Sequence, residues 1–379
     1  MNPMIRPPLF VDLDDSLIAT DSLLEGVFGC LRAGPKAWGA FLSLAKGRPA
    51  FKKAMAAYVD VAALPLRAEV VALVREEQAS GARAFLATGA PERLAQAVAD
   101  RVGCFDGIIA TTDTINRVSE AKLSAIQNLT EGRPFAYLGN GRQDVVIWRM
   151  ATKSHVVGTW WQRLVYWSRI PQDRRGAFIA ASLPFRGLMR ACRPEQWAKN
   201  LLLALPLLAG HVWVEERWLA IVVGIAIFSA VASAVYLLND ALDAPHDRLH
   251  PRKRLRPIAA GEVSLMWALR GIATLLAAAI AGLVWLGSPL FSLCVALYAI
   301  TAVSYSLLWK RVFCLDLFVL VGLYLLRLFA GAALGEVALS SWLLGVSFFF
   351  FLSLACMKRF ASLKREAASG AVHEPGRAY

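Results

Sequence analysis

The chain has 379 residues, which is enough for two or three domains. Hydrophobic residues make up 57% of the chain and its mean hydropathy is +0.49, values that exclude a purely soluble globular protein and predict membrane-embedded segments. The formal net charge is +13, but the basic residues lie in loops between apolar runs and are not interleaved with aromatic residues, so we predict no nucleic-acid partner. The six cysteines are scattered without paired spacing, which excludes a disulfide scaffold.

A short apolar stretch at residues 9–11 predicts the first β-strand, which is followed by Asp12 and Asp14. Two carboxylates one residue apart at a strand end suit phosphate-ester hydrolysis, because one can attack phosphorus while the other protonates the leaving oxygen. The sequence before the strand lacks the basic start and apolar core of a signal peptide. We therefore expect this part of the chain in the cytoplasm.

Three more polar elements follow this strand in chain order. Thr88 ends a second predicted strand, and Lys122 comes next, in Ser-Glu-Ala-Lys. The third is the segment Gly139-Asn140-Gly-Arg-Gln-Asp144, which follows another apolar stretch. The intervening residues 22–75 have a helical pattern, and we interpret them as a cap that selects substrates.

In this order the elements resemble the haloacid dehalogenase superfamily over about residues 8 to 160. The resemblance implies an α/β Rossmann-like domain at residues 1–160 with a helical cap at about 22–75. It also implies that Asp12 is the nucleophile and Asp14 the acid/base, a pair that fits phosphatases better than dehalogenases. The remaining implied roles are phosphate binding by Thr88 and Lys122, and Mg²⁺ binding by Asp12 and Asp144.

One residue departs from the pattern of that superfamily. Asn140 stands where the family usually has a metal-binding aspartate, and a neutral amide coordinates Mg²⁺ less strongly than a carboxylate. A working phosphatase and a decayed or scaffolding domain both remain open interpretations of residues 1–160.

Long apolar runs fill the second half of the chain, beyond an arginine-rich segment at residues 161–192 that we interpret as an amphipathic, basic linker. The runs are close to the ~20 residues that a bilayer core requires, except for the first, which is marginal. Basic residues concentrate in every second loop, so the positive-inside rule places those loops in the cytoplasm and the chain in the inner (plasma) membrane. We predict an all-α transmembrane helix bundle at residues 193–358 and a polar tail at 359–379, with six spans at about 199–215, 218–238, 265–286, 289–308, 315–335 and 341–357.

The second apolar run ends in an acidic segment that contains Asn239, Asp240, Asp243 and Asp247. The three aspartates fall on one face of a helix, at least until Pro245 disturbs its last turn. A hard divalent cation such as Mg²⁺ relieves their repulsion and takes its other oxygen ligands from water and phosphates. The basic residues that follow then suit phosphate groups, whereas the alternative interpretation is a solvated loop that only orients its neighbours.

A second polar segment contains Lys310 and Asp316, and the apolar run that follows contains Arg327. A lone arginine in a membrane helix needs an anionic partner or a polar cavity. Asp316 and Arg327 lie eleven residues apart, which is three helical turns, so both can line one side of the helix. The alternative for Asp316 is a helix N-terminal charge that interacts with the helix dipole.

The two acidic segments resemble the aspartate-rich motifs of the UbiA superfamily of membrane prenyltransferases, over about residues 186 to 379. The stretches from Arg193 to Asn200 and from Asp247 to Gly261 resemble the branch that transfers phosphoribosyl onto decaprenyl phosphate. The resemblance implies that Mg²⁺ and the donor diphosphate are held by Asn239, Asp240, Asp243 and Asp247, and that Asp316 belongs to the second acidic site. It further implies that phosphates are bound by Lys199, Lys253, Arg254 and Lys310.

These resemblances lead to three hypotheses about function. The leading one is a Mg²⁺-dependent membrane transferase that moves phosphoribosyl from phosphoribosyl pyrophosphate to a polyprenyl phosphate, with an N-terminal phosphatase that removes the 5-phosphate. The second is a prenyltransferase that moves a polyprenyl group from its diphosphate to an aromatic acceptor. The third is a non-catalytic membrane binding or assembly protein. Because the superfamily has about nine membrane helices and the sequence predicts six, we expect either a fragment or a bundle completed by another chain or in an oligomer.

Overall fold

The computed structural model describes residues 6–112, 115–181, 183–307 and 315–369. The chain divides into two compact units. The first unit combines the residues up to Leu188 with the segment Asp240–Ala268. The second unit combines Met189–Asn239 with the chain from Leu269 onward. Asp316 lies in a described helix, but its side chain is outside the described part, and Lys310 is outside the described residues altogether.

A six-stranded, all-parallel sheet forms the centre of the first unit, with the strand order β3-β2-β1-β4-β5-β6. Alternate side chains of the first strand enter different cores, because Leu9 and Val11 pack on one face and Phe10 on the other. This arrangement confirms the predicted α/β architecture, and its strand order is that of a doubly wound fold. The strands are β1 (Leu9–Val11), β2 (Ala84–Pro91), β3 (Gly107–Thr111), β4 (Ala136–Gly139), β5 (Lys153–Gly158) and β6 (Arg175–Ala180).

Helices cover both faces of this sheet and account for most of residues 22–75, which we predicted to be helical. Two 3₁₀ segments, Trp38–Lys46 and Val61–Ala63, interrupt that region. The helices are α1 (Ser22–Ala33), α2 (Arg48–Ala56), α3 (Ala68–Ala79), α4 (Glu92–Val102), α5 (Glu120–Thr130), α6 (Val145–Met150), α7 (Trp160–Trp167) and α8 (Pro184–Ala191).

Strand β6 lies within residues 161–192, where we expected a linker. It pairs with β5, and the backbone N–H of Ala177 donates a hydrogen bond of 3.0 Å to Nδ1 of the buried His155. Phe178 and Ile179 pack against the two cores of the sheet. The sequence did not predict this strand, because its apolar stretch is short and is preceded by several arginines.

The second unit is helical, and five helices of the described residues are long and apolar enough to cross a membrane. The segment predicted as the first, marginal span is instead a 3₁₀ segment, Pro194–Ala204, followed by a five-residue helix. Pro206, in the first turn of the second piece, lacks the backbone N–H that a continuous helix would need at that position. The helices are α9 (Leu205–Ala209), α10 (Glu215–Leu249), α11 (Leu265–Leu286), α12 (Pro289–Leu307), α13 (Leu315–Gly335) and α14 (Ser341–Ser369).

The 3₁₀ segment packs very closely against α13. A Cβ atom added at Gly331 would lie 2.0 Å from the carbonyl oxygen of Leu203, so only glycine permits this approach. Leu203 and Leu207 belong to the core of the second unit together with buried side chains of α10, α12 and α13. The marginal apolar run is therefore part of the helical core although it does not form a membrane-length helix.

Helix α10 has 35 residues, so at 1.5 Å per residue it is about 50 Å long and exceeds the ~30 Å thickness of a bilayer core. We expected Pro245 to disturb its last turn, but the helix continues through Pro245 to Leu249. The three aspartates at positions 240, 243 and 247 therefore share one continuous helix. We call these three residues the acidic end of α10.

Candidate functional site

The first cluster of polar side chains lies at the carboxyl ends of β1 and β4, the point where the strand order of the sheet reverses. Asp12 follows β1 directly, and its Oδ1 accepts a hydrogen bond of 2.6 Å from Nζ of Lys122 on α5. Its Oδ2 accepts a hydrogen bond of 3.2 Å from the hydroxyl of Ser16. Asp12 and Lys122 are both buried, so the ion pair is shielded from water.

Tyr137 and Asp144 extend this cluster along β4. The Lys122 ammonium donates to the Tyr137 hydroxyl at 3.2 Å, and that hydroxyl donates to Oδ1 of Asp144 at 2.6 Å. Oδ2 of Asp144 accepts the backbone N–H groups of Asn140 and Gly141, at 3.0 and 3.1 Å. A Cβ atom at Gly139 would lie 2.6 Å from this carboxyl group, so glycine is needed for its close approach to β4. We call Asp12, Asp14, Lys122, Tyr137 and Asp144 the sheet-edge centre.

The electrostatic setting of the two catalytic candidates differs from that of ordinary aspartates. Burial raises the pKa of Asp12 to about 6, with Asp144 adding to the shift, although the nearby Lys122 opposes it. Burial raises the pKa of Asp14 to about 7, and the carboxylates of Asp21 and Asp12 add to the shift. An acid with a pKa near neutrality suits a general acid that must also act as a base.

Two further residues face the end of β2. Thr88 is fully buried, and its Oγ1 accepts a hydrogen bond of 3.0 Å from the backbone N–H of Ala90. Lys52, from α2, donates to the carbonyl oxygen of Gly89 at 2.7 Å and to Oδ1 of Asn116 at 3.1 Å. The helical segment thus supplies an ammonium group to the strand end, and burial lowers the pKa of this lysine.

The sheet-edge centre does not fit a metal ion bound by Asp12 and Asp144. Both oxygens of each carboxylate already accept hydrogen bonds, and Lys122 lies 2.6 Å from Asp12 and 3.9 Å from Asp144. Among the described residues, no group of three or more His, Cys, Asp or Glu side chains is placed to hold a metal. The positive charge that the sequence led us to expect from Mg²⁺ is supplied here by the Lys122 ammonium.

The second cluster is the acidic end of α10, and its main partner is Arg256. Nη1 of Arg256 donates to Oδ2 of Asp247 at 2.6 Å and to Oδ1 of Asp240 at 3.3 Å. Asp240 and Asp247 are buried, whereas Asp243 is half-buried. One guanidinium group therefore bridges the first and last carboxylates of the motif.

The other residues predicted around this motif differ in exposure. Asn239 precedes the motif on α10, and its Oδ1 is buried without a hydrogen-bond donor among the described residues. Lys253 and Arg254 lie on a 3₁₀ turn, Lys253–Leu255, where Lys253 is half-buried and Arg254 exposed. The oxygens of these carboxylates and of the Asn239 amide are of the types that Mg²⁺ prefers as ligands. As at the sheet edge, the described acidic side chains here are not drawn together around a metal position.

The third cluster surrounds Arg327 in the second unit. The Arg327 guanidinium donates to Oδ1 of Asn200 at 2.8 Å, to the carbonyl of Leu323 at 2.6 Å and to the hydroxyl of Tyr298 at 3.3 Å. Asn200 in turn donates to Ser229 at 2.9 Å. We call Arg327, Asn200, Ser229 and Tyr298 the Arg327 cluster. Among the described side chains, none that pairs with Arg327 is a carboxylate.

Two aromatic contacts place further cations near this cluster. Nζ of the half-buried Lys199 lies 5.9 Å from the ring centroid of Tyr324, and the Arg327 guanidinium lies 5.6 Å from the same ring. The guanidinium of Arg193 lies 4.8 Å from the ring centroid of Tyr236. The predicted relation between Asp316 and Arg327 falls outside the described side chains.

Comparison with known proteins identifies the family. The model of the UbiA prenyltransferase family matches residues 201–373. The uncharacterised protein y4nM of Sinorhizobium fredii is 33% identical over 98% of this chain and 72% of its own length. The chain belongs to the UbiA prenyltransferase family. It is thus an integral membrane protein of a transferase family, in agreement with its membrane-length helices.

Another relative of this UbiA-family chain has a named activity. The decaprenyl-phosphate phosphoribosyltransferase of Mycolicibacterium smegmatis is 37% identical over 49% of this chain. The chain spans 59% of that enzyme's length. A UbiA homologue from Archaeoglobus fulgidus, solved with GPP and Mg²⁺ bound, aligns with a TM-score of 0.42 and 20% identity over 48% of this chain and 66% of the homologue.

Several residues of these clusters were not among the predicted site residues. Arg256 and Asn200 stood within the motifs that carry the family resemblance, and their position there was the available signal. The roles of Tyr137 and Tyr298 could not be predicted, because a tyrosine in an apolar stretch is usually a core residue. Lys52 gave none either, since it lies among other basic residues of a helical segment.

Proposed function

We propose that the chain is a Mg²⁺-dependent transferase that moves phosphoribosyl from phosphoribosyl pyrophosphate to a polyprenyl phosphate. The observation that carries this proposal is the acidic end of α10, with Arg256 bridging Asp240 and Asp247. The 37% identity to the M. smegmatis phosphoribosyltransferase supports the choice of donor and acceptor. The polyprenyl chain of the acceptor fits the lipid environment that the apolar helices require.

The acidic end of α10 is proposed to hold the donor diphosphate through Mg²⁺, with Asn239, Asp240, Asp243 and Asp247 as ligands. The buried and unpartnered Oδ1 of Asn239 supports this role, since a buried carbonyl oxygen needs a donor or a cation. Lys253 and Arg254 then contact the diphosphate as charge-assisted donors. Bound Mg²⁺ would neutralise the negative charge that develops on the departing pyrophosphate.

The Arg327 cluster is proposed to bind the phosphate of the polyprenyl acceptor. Arg327 is 6% exposed, and its polar partners are an amide, a carbonyl and a phenol, so its charge is not neutralised by the described side chains. A buried cation of this kind attracts an anion strongly, because the surrounding dielectric constant is low. Lys199 would add a second positive charge, and Lys310 and Asp316 keep their predicted roles as part of the proposal.

The proposed reaction exchanges one bond at the anomeric carbon of the ribose. The bond from that carbon to the pyrophosphate oxygen breaks, and a bond to a phosphate oxygen of the acceptor forms. The acceptor phosphate is already an anion, so little acid–base chemistry is required. Arg327 would bind the phosphate of the acceptor, and the cations of the basic turn would stabilise the leaving group.

We further propose that the sheet-edge centre belongs to a phosphatase of the haloacid dehalogenase type. Asp12 would attack the phosphorus of a phosphate ester, while Asp14 protonates the leaving oxygen and later takes a proton from water. The raised pKa of Asp14, about 7, supports this double role. Lys122 orients the nucleophile and neutralises charge on phosphorus, and Thr88 and Lys52 would bind the remaining phosphate oxygens.

The proposed location of both reactions is the cytoplasmic face of the inner membrane. The basic turn that follows α10 and the water-soluble donor both favour that side. The first unit contains Asp240–Ala268 as well as the sheet, so both chemistries lie on one side of the membrane in this proposal. A phosphatase placed there meets the transferase product at a raised effective concentration.

The test of the transferase uses membranes that contain the full chain. They are incubated with radiolabelled phosphoribosyl pyrophosphate, a polyprenyl phosphate and Mg²⁺, and the label in the lipid extract is counted. We expect label with the wild-type chain and a loss of about a hundredfold with Asp240→Asn. Asp100→Asn, a change at an exposed aspartate of α4, is the matched control.

The family itself favours a second candidate function, prenyl transfer from a polyprenyl diphosphate to an aromatic acceptor. The same membranes are then supplied with polyprenyl diphosphate and an aromatic acceptor. Prenylated product without labelled ribosyl lipid would replace the leading proposal by this one. If neither product forms and Mg²⁺ with pyrophosphate leaves thermal stability unchanged, the chain is a non-catalytic membrane protein.

A further inference from the structure

The connection between α10 and α11 is anchored in the sheet-bearing unit by a buried ion pair. Arg248, in the last turn of α10, donates from Nη2 to Oε1 of Glu25 at 2.6 Å and from Nη1 to Oε2 at 3.1 Å. Glu25 lies on α1, and the two side chains are 4% and 8% exposed. A bidentate pair of this geometry fixes both position and orientation of the helix end.

Other contacts hold the same segment along its length. His246 forms a hydrogen bond with Arg32, also on α1. Gly261, with a φ of +74°, lies so close to Ala19 that an added Cβ atom would be 3.0 Å from the Ala19 Cβ. Val263 packs against Gly187 in the same manner. Within the first unit, segment Asp240–Ala268 therefore contacts α1, Ala19 and Gly187.

A small cavity lies where this segment meets the carboxyl edge of the sheet. Its volume is about 80 Å³. Residues on both sides line it, with Asp15, Asn140 and Thr159 from the sheet edge and Gly261, Glu262 and Trp267 from the segment. The surface between the segment and the sheet edge thus contains polar groups as well as packed apolar ones.

The charges around Arg248 give the ion pair a consequence for the acidic end of α10. Arg248 directly follows Asp247, and Arg256 already bridges Asp247 and Asp240. The Glu25 carboxylate neutralises the charge of Arg248. Without the Glu25 carboxylate, the buried guanidinium would need another anion, and the aspartates of its own helix are the nearest along the chain.

We propose that Glu25 is a positioning residue for the acidic end of α10, through its ion pair with Arg248. Through this ion pair, α1 would help to position the aspartates of the proposed Mg²⁺–diphosphate site. This inference rests on the proposed Mg²⁺–diphosphate role of that helix end. It predicts that a change on α1 alters the affinity for Mg²⁺ and diphosphate without touching either.

The experiment measures Mg²⁺-dependent thermal stabilisation of the full chain in detergent with inorganic pyrophosphate present. For Glu25→Gln, we expect the Mg²⁺ concentration at half-maximal stabilisation to rise about tenfold or more, as for partners behind metal ligands. Glu25→Asp keeps the charge and should recover most of the affinity. Glu131→Gln removes an exposed glutamate of the same unit and should leave the midpoint unchanged.

A charge-reversed pair separates positioning from a folding defect. Glu25→Arg alone should lose the Mg²⁺ response, and the double change Glu25→Arg with Arg248→Glu should restore it to within about threefold, because the ion pair reforms. A wild-type midpoint in Glu25→Gln would overturn the inference. If the wild-type chain shows no Mg²⁺–pyrophosphate stabilisation at all, the proposed diphosphate site itself is refuted, which is a separate result.

Discussion

The sheet-edge centre and the Arg327 cluster both contain a buried cation, but they neutralise it differently. Lys122 lies 2.6 Å from the carboxylate of Asp12 and 3.9 Å from that of Asp144. Arg327 is held by an amide, a carbonyl and a phenol instead. A balanced cluster is stable without a ligand, whereas an unbalanced buried cation favours an incoming anion. This difference is the reason why the phosphate of the acceptor is proposed to bind in the second unit.

The largest expected effect concerns Asp12, the proposed nucleophile of the sheet-edge centre. Asp12→Asn should lower Asp12-dependent phosphate release from sugar phosphates by on the order of 10⁴-fold, because the attacking oxygen is lost. Phosphoribosyl transfer should change little. The assay is phosphate release by the full chain, with Asp173→Asn at an exposed carboxylate as the control. Equal turnover in wild type and Asp12→Asn would remove the phosphatase from the proposal.

The next change adds a carboxylate to the Arg327 cluster, whose described members include none. Asn200→Asp places a carboxylate 2.8 Å from the guanidinium, so Arg327 should bind an acceptor phosphate more weakly. We expect the KM for polyprenyl phosphate to rise about tenfold to a hundredfold, while the KM for phosphoribosyl pyrophosphate stays near its wild-type value.

Asn128→Asp, at an exposed position of α5, is the matched control for that substitution. An unchanged KM for the lipid in Asn200→Asp would mean that the charge of Arg327 is not used for the acceptor. A rise in both KM values would instead point to a general distortion of the second unit.

The pH dependence of stability tests the pairing of β5 with β6, the strand that the sequence did not predict. Burial lowers the pKa of His155 from 6.5 to about 4. Between pH 6.5 and 4, His155 is protonated in the unfolded chain but neutral in the folded chain. The free energy of unfolding therefore falls as the pH drops from 6.5 to 4. The loss from this group is about 3 kcal/mol at pH 4 and absent above pH 7.

Urea denaturation of the full chain at several pH values checks this expectation. The raised pKa values of Asp12 and Asp14 act in the opposite direction, so the quantity compared is the slope in wild type against His155→Gln. The variant should lack the decline between pH 6.5 and 4, and His211→Gln at an exposed site should retain it. Parallel curves for wild type and His155→Gln would exclude a buried neutral histidine between β5 and β6.

The smallest effect is expected for Tyr137, whose hydroxyl links Lys122 to Asp144. Tyr137→Phe removes the hydrogen bond of 2.6 Å to Asp144 and leaves a buried oxygen with one partner fewer. The free energy of unfolding should fall by about 1 to 3 kcal/mol. Urea denaturation measures it, with Tyr58→Phe as the control, and a loss no larger than that control would show that Asp144 is held by its backbone partners alone.

The sequence could predict that Asp12 and Asp144 lie together, because the carboxyl ends of parallel strands lie at one edge of a sheet. Asp12 and the segment that contains Asp144 follow strands that prove to be neighbours, so the structure brings them together with Lys122. The acidic end of α10 was accessible for a similar reason, since helical spacing alone aligns its aspartates. Local periodicity carries both predictions.

The remaining features depend on pairs that are far apart in the chain. Asn200 and Arg327 are separated by 127 positions, and Glu25 and Arg248 by 223. No local pattern encodes such a pair, since sequence spacing does not show which distant residue each of them contacts. The prediction of the first span was wrong for a different reason, because hydropathy counts apolar residues and does not register Pro206 as a break within the run.

The passage of α10 through Pro245 has a consequence for the backbone of the acidic end. A proline ring carries no amide hydrogen, so the carbonyl of Ala241 loses the donor that a regular helix would supply four residues later. That oxygen lies between Asp240 and Asp243 in the chain and is a hard, neutral ligand type. The helix therefore presents a main-chain dipole, in addition to its carboxylates, at the point where it leaves the apolar run.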